Sequence, residues 1–380
     1  MKRILILQNK GKIYGGVWQV NKLVGESLIK EGYDVSIVSI RNEQTDINLK
    51  HHPKLKVKTI NENGIWYTYK GYEIINEIKK LHFIKAIKMT ASRIKHDIDI
   101  KKDIKKLHQF IYEYKPNTII TSHYQLLDMI PKNYLNITIH QQHSAFDAAI
   151  NHKATKNTLN KYNGKIKFLW LTKNTMEQAI TYGLNNNSYI HNAVRFETNE
   201  IANVKNNKKL ITIARLSEDK RIDIMVDIVK EVFKDNQFKD WCLEIYGSGE
   251  LEDELIEQIN NHPQIKLMGK TTNPKKELLT SSINLNTSPY EGFSLSILEA
   301  NECGVPTITF NFGESVTEEI IDNKTGIIAT NKEDYIKKIK ELMLDNKKLI
   351  SLSKNAKEFS KQFHINNIIN KWIELFEERK

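Results

Sequence analysis

Short apolar segments of strand length alternate with segments of helical periodicity, and this alternation occurs twice along the chain. The first set starts with the apolar run RILILQN at Arg3–Asn9, followed by a helical spacing of Val17, Val20, Val24 and Leu28 and a second apolar run, DVSIVSI. Further strands of this set follow at NTIITSH, NITIHQQ and KIKFLWLT. A strand, a helix and another strand in this order predict a parallel sheet that is covered by helices. The runs LITIARL, WCLEIYGSG, IKLMGK, INLNTS and PTITFNF repeat the pattern further along. We therefore predict an α/β protein.

A polar stretch rich in Asn and Lys separates the two sets of strands at about residues 194–209. A chain of 380 residues is long enough for two domains of ordinary size. We predict two Rossmann-like, doubly wound domains that face a cleft, at residues 1–195 and 196–360, and a last helix at 361–380 that packs back on the first domain. Ligands of such sheets bind beyond the carboxyl ends of the strands, so the cleft is the expected site.

Composition excludes several classes of protein. No apolar run reaches the eighteen residues of a membrane span, and the first apolar segment is too short for a secretory signal, so we expect a cytoplasmic protein. The two cysteines, Cys242 and Cys303, lie in apolar segments, which favours buried thiols over a disulfide or a zinc site. The net charge of +11 is compatible with nucleic acid, an anionic membrane surface or an anionic substrate as the partner.

A basic insert interrupts the first set of strands at about residues 67–114. Within residues 79–106 of this insert, ten cations stand against three acids: Lys79, Lys80, Lys85, Lys88, Arg93, Lys95, Lys101, Lys102, Lys105 and Lys106 against Asp97, Asp99 and Asp103. Phe83, Ile87 and Ile94 recur in it at helical spacing. A basic amphipathic helix binds an anionic membrane or a polyanion, whereas a merely solvated helix packs its apolar stripe on its own domain. Both interpretations stay open, and the excess of cations favours the first.

The stretch SPYEGFSLSILEANECGVP at Ser288–Pro306 combines a turn with a short helix. Ser294 is a candidate N-cap for this helix, which Gly304 would end. The backbone N–H groups of residues 293–296 would then form an anion site at a helix N-terminus, suited to a phosphate or a diphosphate.

Two acids flank this anion site. Glu299 lies one turn into the helix, and helical side chains lean towards the N-terminus, so its carboxylate should point back towards the bound anion. A carboxylate repels a diphosphate, so Glu299 more reasonably accepts hydrogen bonds from neighbouring hydroxyls such as a ribose diol. Glu291, on the other side of the turn, would do the same for a sugar. The pattern suggests a nucleotide diphospho-sugar as the ligand.

A diphosphate also needs cations. In the segment ITIARLSEDKR, a strand ends at Arg215 and Lys220 precedes the next helix, so both charges should project into the cleft from the carboxyl end of a strand. Two solvated surface cations would be the ordinary interpretation if this pair stood alone. The acids at Glu291 and Glu299 favour a shared site.

These motifs together resemble the glutamate-seven-residue-glutamate signature of the retaining nucleotide-sugar glycosyltransferases that have two Rossmann-like domains, the GT-B fold. The resemblance continues through IARLSEDKR, LEIYGSGE, IKLMGK and GESVTEEIIDNKTGIIA, and it covers essentially all of the C-terminal half. The N-terminal half is similar more loosely, through YGGVWQV and QQHSAFDAA. The second of these is similar to the Gln-x-His-x-Ser-Phe pattern of cell-envelope glycan transferases, with its Ser shifted to Ala145 and its Phe at Phe146.

The resemblance implies roles for individual residues. Arg215 and Lys220 would bind the donor diphosphate, Glu299 the ribose and Glu291 the hydroxyls of the donor sugar. The implied donor-binding backbone comprises Gly292, Phe293, Ser294, Leu295 and Ser296, together with the close-approach turn of Gly15 and Gly16. His143 would lie near the sugar at the reacting face, with His140 as its rival, and it completes the implied catalytic set with Glu291, Arg215 and Lys220. One departure is Arg221, because the family usually has Gly after the lysine.

The resemblance also implies that the N-terminal domain binds the acceptor and the C-terminal domain binds a UDP-sugar without a cofactor or a metal. In this scheme Lys85, Lys88, Lys101 and Lys105 of the basic insert would bind an anionic polymer or a lipid-linked glycan, or contact the inner face of the membrane. The sequence DID at Asp97–Asp99 has the spacing of a metal-binding motif, but it lies inside the insert, so we interpret it as helix surface. The segment YGSGEL has Glu252 near the place of the third glycine of a dinucleotide fingerprint, which argues against NAD.

The predicted function is a retaining glycosyltransferase that moves GlcNAc or a hexose from a UDP-sugar to a bacterial cell-surface glycan, such as wall teichoic acid, capsule or a lipid-linked oligosaccharide. A nucleotide-sugar epimerase of the same architecture is an alternative enzyme. A basic nucleic-acid-binding protein is the alternative outside enzymes, although no basic strand with interleaved aromatic residues supports it, and we expect no nucleic-acid partner.

Overall fold

The structure is a computed structural model that describes residues 2–11, 15–42, 51–62 and 71–378. Among these residues the N-terminal sheet has seven parallel strands: β1 (Arg3–Gly11), β2 (Asp34–Asn42), β3 (Lys56–Asn61), β4 (Thr118–Thr121), β5 (Thr138–Gln141), β6 (Lys167–Trp170) and β7 (Asn187–Tyr189). They lie in the order β3-β2-β1-β4-β5-β6-β7. The strand order therefore reverses between β1 and β4, and a crevice opens at such a point beyond the carboxyl ends of the strands.

Helices cover both faces of this sheet: α1 (Gly16–Lys30), α2 (Gly71–Lys79), α3 (Phe83–Tyr114), α4 (Phe146–Asn151), α5 (Lys153–Tyr162) and α6 (Lys173–Thr181). The four consecutive apolar residues of β1, Ile4 to Leu7, are all buried, since alternate side chains point into two different cores. This double burial explains why the strand is continuously apolar.

The C-terminal sheet has six parallel strands in the described part of the chain: β8 (Lys209–Ile213), β9 (Cys242–Tyr246), β10 (Ile265–Gly269), β11 (Ile283–Asn286), β12 (Thr307–Phe310) and β13 (Gly326–Ala329). Their order is β10-β9-β8-β11-β12-β13. The helices of this part are α7 (Val204–Asn207), α8 (Ile222–Phe233), α9 (Glu252–Ile259), α10 (Pro274–Leu279), α11 (Leu295–Glu302), α12 (Lys332–Leu344) and α13 (Asn346–Ser360). The predicted architecture of two doubly wound α/β domains is confirmed.

The last helix, α14 (Ile365–Glu377), packs against α1 of the N-terminal domain. Trp372 is buried in the same core as Trp18, and the rings of Phe376 and Tyr33 are 5.9 Å apart. The chain thus leaves the N-terminal domain once and returns to it.

Glu302 lies where the chain returns. Its buried carboxylate accepts hydrogen bonds from Lys357 Nζ at 2.6 Å, Ser360 Oγ at 2.6 Å, His364 Nε2 at 2.9 Å and the Thr198 amide at 2.8 Å. Burial alone would raise the pKa of Glu302, but these donors outweigh it and hold the pKa below its usual value. One carboxylate therefore joins both segments that connect the domains.

Residues 71–114 of the basic insert form the two helices α2 and α3, and residues 67–70 lie outside the described residues. No helix of the described residues is both long and apolar enough to cross a membrane. Only the C-terminal part of α3 contributes to the core, through Leu107 and Ile111. The expectation that a solvated helix would pack its apolar stripe on its own domain is wrong for Phe83, Ile87 and Ile94, because all three side chains are exposed.

Candidate functional site

The turn after β11 leads into α11 as expected, with Ser294 at the N-cap and Gly304 two residues beyond the helix end. The Ser294 hydroxyl does not cap the helix and lies 3.1 Å from the Ser296 hydroxyl. The amide of Ser294 donates to Glu319 Oε1 at 2.9 Å, so one of the four predicted anion-binding amides already has an acceptor. The amides of Leu295 and Ser296 lie in the first turn, where N–H groups have no acceptor within the helix.

Glu319 is a residue of this site that sequence reasoning missed. Its carboxyl is fully buried, and Oε2 has no hydrogen-bond partner among the described residues. Burial raises its pKa well above the usual value, and the nearby Glu291 adds to this, although the Ser294 amide opposes it. A neutral carboxyl can also donate a hydrogen bond. Nothing in the segment TEEIID distinguishes the buried glutamate from its neighbour Glu318.

Lys220 and Glu291 form an ion pair. Lys220 Nζ donates to Glu291 Oε1 at 2.8 Å, and both side chains are largely buried. The Thr287 hydroxyl donates to the carbonyls of Lys220 at 3.0 Å and of Arg221 at 2.9 Å, which ties the lysine loop to the end of β11. The residues predicted to bind the diphosphate and the sugar of the donor are therefore in direct contact.

Arg221 occupies the position where the family usually has Gly. Its backbone is left-handed, with φ of 48° and ψ of 43°. Glycine adopts this conformation without the steric cost that a side chain brings. The loop therefore has the shape that a glycine would favour, although an arginine forms it.

Arg215 is far more exposed than Lys220, with 72% of its side chain accessible against 19%, and its Nη2 lies 3.6 Å from Asp219 Oδ2. Two glycines of YGSGEL support its loop. A Cβ atom on Gly247 would lie 1.8 Å from the Ala214 carbonyl oxygen, and one on Gly249 would lie 2.1 Å from that of Leu216. These glycines are thus needed for close packing beside Arg215.

Glu299 pairs with Arg195, a residue that sequence reasoning did not single out. Glu299 is 1% exposed; its Oε1 accepts from Arg195 Nε, and its Oε2 accepts from Arg195 Nη2 at 2.6 Å. Both carboxylate oxygens of Glu299, the residue predicted to bind the ribose, are therefore hydrogen-bonded by Arg195. Arg195 lies 104 positions earlier in the chain, and no local pattern in NAVRFE announces the pair.

The main chains of the two domains are in close contact at Gly292 and His143. A Cβ atom on Gly292 would lie 2.1 Å from the carbonyl oxygen of His143, so only glycine allows this contact. His143 Nε2 is buried without a hydrogen-bond partner among the described residues, and burial, then the neighbouring His123 and His140, lower the pKa of His143 to about 3. A neutral imidazole with an unused ring nitrogen thus lies beside the Glu291 turn.

His140 has a different environment. It is fully buried; Nδ1 is 2.8 Å from Thr121 Oγ1, and Nε2 is 3.1 Å from Gln142 Oε1. Burial lowers its pKa to about 4. Both of its ring nitrogens serve the N-terminal domain, which leaves His143 as the histidine that is available to a ligand.

We expect Gly292→Ala to lower kcat/KM for the reaction at this site by about tenfold, because one added methyl in a close-packed contact costs on the order of 1–3 kcal/mol. The methyl would displace the main chain of the other domain, and steady-state kinetics with circular dichroism would measure the effect. Gly25→Ala is the matched control, since its methyl would meet only side chains, the nearest being Leu55 Cδ1 at 3.2 Å. Equal losses in both variants would contradict the close-contact explanation.

Gly15 and Gly16 lie at the start of α1. Gly15 is its N-cap with an extended backbone, φ −152°, that any residue can adopt, and a Cβ atom on Gly16 would lie 3.5 Å from Leu295 Cδ1. The N-terminus of α1 therefore lies against that of α11, and both helix dipoles favour an anion there. The residues of the glycine-rich turn before Gly15 lie outside the described residues.

Other contacts join the domains around this site. Glu318 of the C-terminal domain accepts from the Lys173 amide at 3.0 Å, the Asn174 amide at 2.8 Å and His191 Nε2 at 2.8 Å, so it caps α6. Burial would raise the pKa of Glu318, but His191 and the two amides lower it below its usual value. Asn192 Nδ2 donates to the Phe293 carbonyl at 3.0 Å.

The four predicted acceptor lysines do not form one patch. All four are exposed on α3. Lys101 is rotated by about 160° around the helix axis from Lys85. Lys85 is also 3.2 Å from Glu77. Lys88 therefore shares a surface with Lys85 only, and Lys105 with Lys101 only.

The DID motif of Asp97–Asp99 lies within α3, on the helix surface as interpreted from the sequence. Across the described ranges, no group of three or more His, Cys, Asp or Glu residues is arranged to hold a metal ion.

The two doubly wound domains, and the Lys220–Glu291 pair beside a helix N-terminus, are the features by which the chain resembles the GT-B glycosyltransferases. Residues 194–359 match the model of the family "Glycosyl transferases group 1". The match lies in the C-terminal half of the chain and confirms the resemblance seen in the sequence.

Particular proteins are similar over longer stretches. The poly(ribitol-phosphate) alpha-N-acetylglucosaminyltransferase of Staphylococcus aureus is 30% identical over 229 residues, which span 57% of this chain and 44% of that protein. The poly(glycerol-phosphate) alpha-glucosyltransferase of Bacillus subtilis is 22% identical over 93% of this chain and 50% of its own length. The chain thus spans about half the length of these two relatives. Neither of these two relatives is named as an epimerase or a nucleic-acid-binding protein.

A solved structure shows the same fold. That of S. aureus TarM, crystallised with UDP, alpha-GlcNAc-glycerol and Fondaparinux, superimposes with a TM-score of 0.77 at 16% identity, covering 99% of this chain and all of that one. The GT-B architecture expected from the sequence is thereby confirmed.

Proposed function

We propose that the chain is a retaining glycosyltransferase that moves a sugar from a UDP-sugar to a hydroxyl of a bacterial cell-surface polymer of the teichoic-acid type. The observation that carries the proposal is the Lys220–Glu291 pair, which lies beside the N-terminus of α11. The adjoining Gly292 touches His143 across the cleft. Cations, helix amides and an acid at one place fit a diphosphate attached to a sugar.

The relatives support the substrate class. The S. aureus and B. subtilis relatives are both named as enzymes that modify polyol-phosphate polymers with alpha-linked sugars. The S. aureus TarM crystal contains UDP. Because the sugars of UDP-glucose and UDP-GlcNAc are alpha-linked to the diphosphate, an alpha-linked product means that the configuration is retained.

Donor binding would rearrange the ion pair. The diphosphate of the donor offers Lys220 a stronger partner than Glu291, because it carries more charge. Glu291 would then be free to accept hydrogen bonds from hydroxyls of the sugar. Lys220 and Glu291 thus compensate each other's charge before the donor binds. Afterwards Lys220 binds the diphosphate and Glu291 binds the sugar.

Stabilisation of the leaving group is the proposed source of the rate enhancement. As the bond between C1 of the sugar and the diphosphate oxygen breaks, negative charge grows on that oxygen, and Lys220, Arg215 and the first amides of α11 are placed to stabilise it. The acceptor hydroxyl attacks C1 from the same face, and its proton passes to the departing diphosphate. His143, which its low pKa keeps neutral, can hydrogen-bond a sugar hydroxyl through Nε2.

Product analysis tests the proposal directly. The protein is incubated with UDP-GlcNAc or UDP-glucose and with poly(ribitol phosphate) or poly(glycerol phosphate), and UDP release and the anomeric configuration of the product are measured. We expect acceptor-dependent UDP release and an alpha-linked product. A beta-linked product would overturn retention, and an altered sugar nucleotide formed without acceptor would indicate an epimerase.

We expect the reaction to survive excess EDTA, because Lys220 and Arg215 supply the positive charge that a metal ion provides in other transferases. The measurement is UDP release with and without EDTA, and again after addition of Mg²⁺ or Mn²⁺. An activity that EDTA abolishes and either ion restores would contradict this prediction.

A further inference from the structure

Helix α3 is much longer than the sheet it covers. Its 32 residues extend over about 48 Å. The Tyr114 hydroxyl near its C-terminus donates to the carbonyl of Asp34, the first residue of β2, at 2.8 Å. Asp103 accepts from Arg41 Nη2 at 2.9 Å, near the carboxyl end of β2. His96 of α3 also lies against Arg41, with its Nδ1 atom 3.1 Å from Arg41 Nη1. The residues before His96, back to Phe83, therefore continue for about 20 Å beyond the carboxyl edge of the sheet.

The projecting part is a helical hairpin. Helix α2 packs on the N-terminal part of α3, where Ala86 and Met89 are buried. Glu77 of α2 lies 2.9 Å from His82 Nδ1 and 3.2 Å from Lys85 Nζ. These contacts hold the two helices together at their turn. We refer to residues 78–95 as the hairpin tip.

The surface of the hairpin tip is both apolar and basic. Six large apolar side chains are between 45% and 75% exposed: Ile78, Leu81, Phe83, Ile84, Ile87 and Ile94. Six cations lie among them: Lys79, Lys80, Lys85, Lys88, Arg93 and Lys95. No Asp or Glu occurs between residues 78 and 96. Water-facing apolar side chains, with six cations and no acid inside the segment itself, distinguish this surface from an ordinary solvated helix.

We propose that the hairpin tip docks on an anionic lipid surface. Helices that lie in a membrane interface combine Lys and Arg with Phe, Leu and Ile, so that the apolar groups enter the acyl boundary and the cations contact lipid phosphates. A soluble polyanion would use the cations but leave Phe83, Ile84 and Ile87 in water. A second copy of the chain would cover the apolar groups but bring like charges together.

The position of the hairpin tip gives this docking a purpose that rests on the proposed function. The tip projects past the carboxyl edge of the strands, the same edge that carries the candidate site. A lipid surface held by the tip therefore lies on the cleft side of the N-terminal domain. A lipid-linked acceptor polymer in that surface would reach the cleft without the enzyme leaving the membrane.

Vesicle sedimentation tests the proposal. The full chain is mixed with phosphatidylcholine vesicles that contain or lack phosphatidylglycerol, and the bound fraction is measured against lipid concentration. We expect binding only with phosphatidylglycerol, weakened by salt above about 0.1 M. The variant Phe83→Ser/Ile84→Ser/Ile87→Ser should need at least about tenfold more lipid.

A matched control removes exposed apolar groups elsewhere. Ile256 and Leu344 of the C-terminal domain are 55% and 59% exposed, and Ile256→Ser/Leu344→Ser should bind vesicles like the wild type. Circular dichroism verifies that each variant is folded. Absence of wild-type binding, or equal binding by the hairpin-tip variant, would overturn the proposal.

Two further readings separate the competing partners. A loss of oligomer on size-exclusion chromatography in the hairpin-tip variant, with vesicle binding unchanged, would assign the surface to a second copy and overturn the proposal. Transfer to a soluble acceptor should be unchanged in this variant. An inactive wild type that still binds vesicles would sink the proposed function and leave the lipid docking intact.

Discussion

Lys220→Ala is expected to lower kcat/KM for sugar transfer by about 10²–10³-fold, the loss that follows removal of one preorganised donor to a developing negative charge. Lys220 is the largely buried cation of the site, and its ammonium is held 2.8 Å from Glu291. Arg215, in contrast, is mostly exposed, and water screens its charge. The leaving diphosphate therefore depends more on Lys220 than on Arg215, and Arg215→Ala should cost less.

Steady-state UDP release with a fixed acceptor measures this effect. Lys220→Arg keeps the charge and should recover part of the activity, whereas Lys234→Ala, at an exposed lysine directly after α8, should be silent. Because loss of Lys220 also leaves Glu291 without its cation, urea unfolding of each variant must separate instability from lost catalysis. Near wild-type kcat/KM in a folded Lys220→Ala variant would refute the assignment.

Glu299→Ala is expected to lower the free energy of unfolding by about 3 kcal/mol, at the low end of the range for breaking a buried ion pair. The carboxylate is 1% exposed and binds two nitrogens of Arg195, while the arginine is 20% exposed. The remaining contact of Arg195 with water is the reason for the low estimate. Transfer activity should fall as well, because Arg195 and Glu299 join the domains at the donor side of the cleft.

A double-mutant cycle measures the pair itself. Arg195→Ala/Glu299→Ala should unfold at a free energy closer to the wild type than the sum of both single changes predicts, because neither charge is then left alone. Glu299→Gln keeps the size of the side chain and removes the charge. Strictly additive single and double variants would show that the pair contributes nothing to stability.

The architecture could be predicted from the sequence because it depends on local patterns. The continuous apolar run of β1 reflects burial on both faces, which only a covered parallel sheet provides. Lys220 follows β8 and Glu291 follows β11, and these two strands are neighbours in the sheet. The carboxyl ends of neighbouring parallel strands lie at the same edge, so the two residues could be predicted to lie near one another.

The partners of the site residues could not be predicted in the same way. Arg195 meets Glu299 across 104 positions, and Glu319 reaches the Ser294 amide across 25. Such contacts depend on how separate elements pack, which residue spacing does not encode. The amide cradle was predicted as four free donors, and a buried carboxyl occupies one of them. The exposure of the apolar stripe in the basic insert could not be predicted for a similar reason. A helical period shows which residues share a face, but not whether another element covers that face.

The double crossing of the chain between the domains determines how the cleft can open. One crossing passes Thr198, and the other runs from Lys357 to His364, where Glu302 binds both. Two adjacent crossings form a hinge between the domains, which permits rotation about one axis and resists sliding or twisting. Each opening therefore returns Gly292 to His143 along the same arc. A chain that ended before α14 would keep only the first connection between its domains. The two domains would then lose this restraint on their relative position.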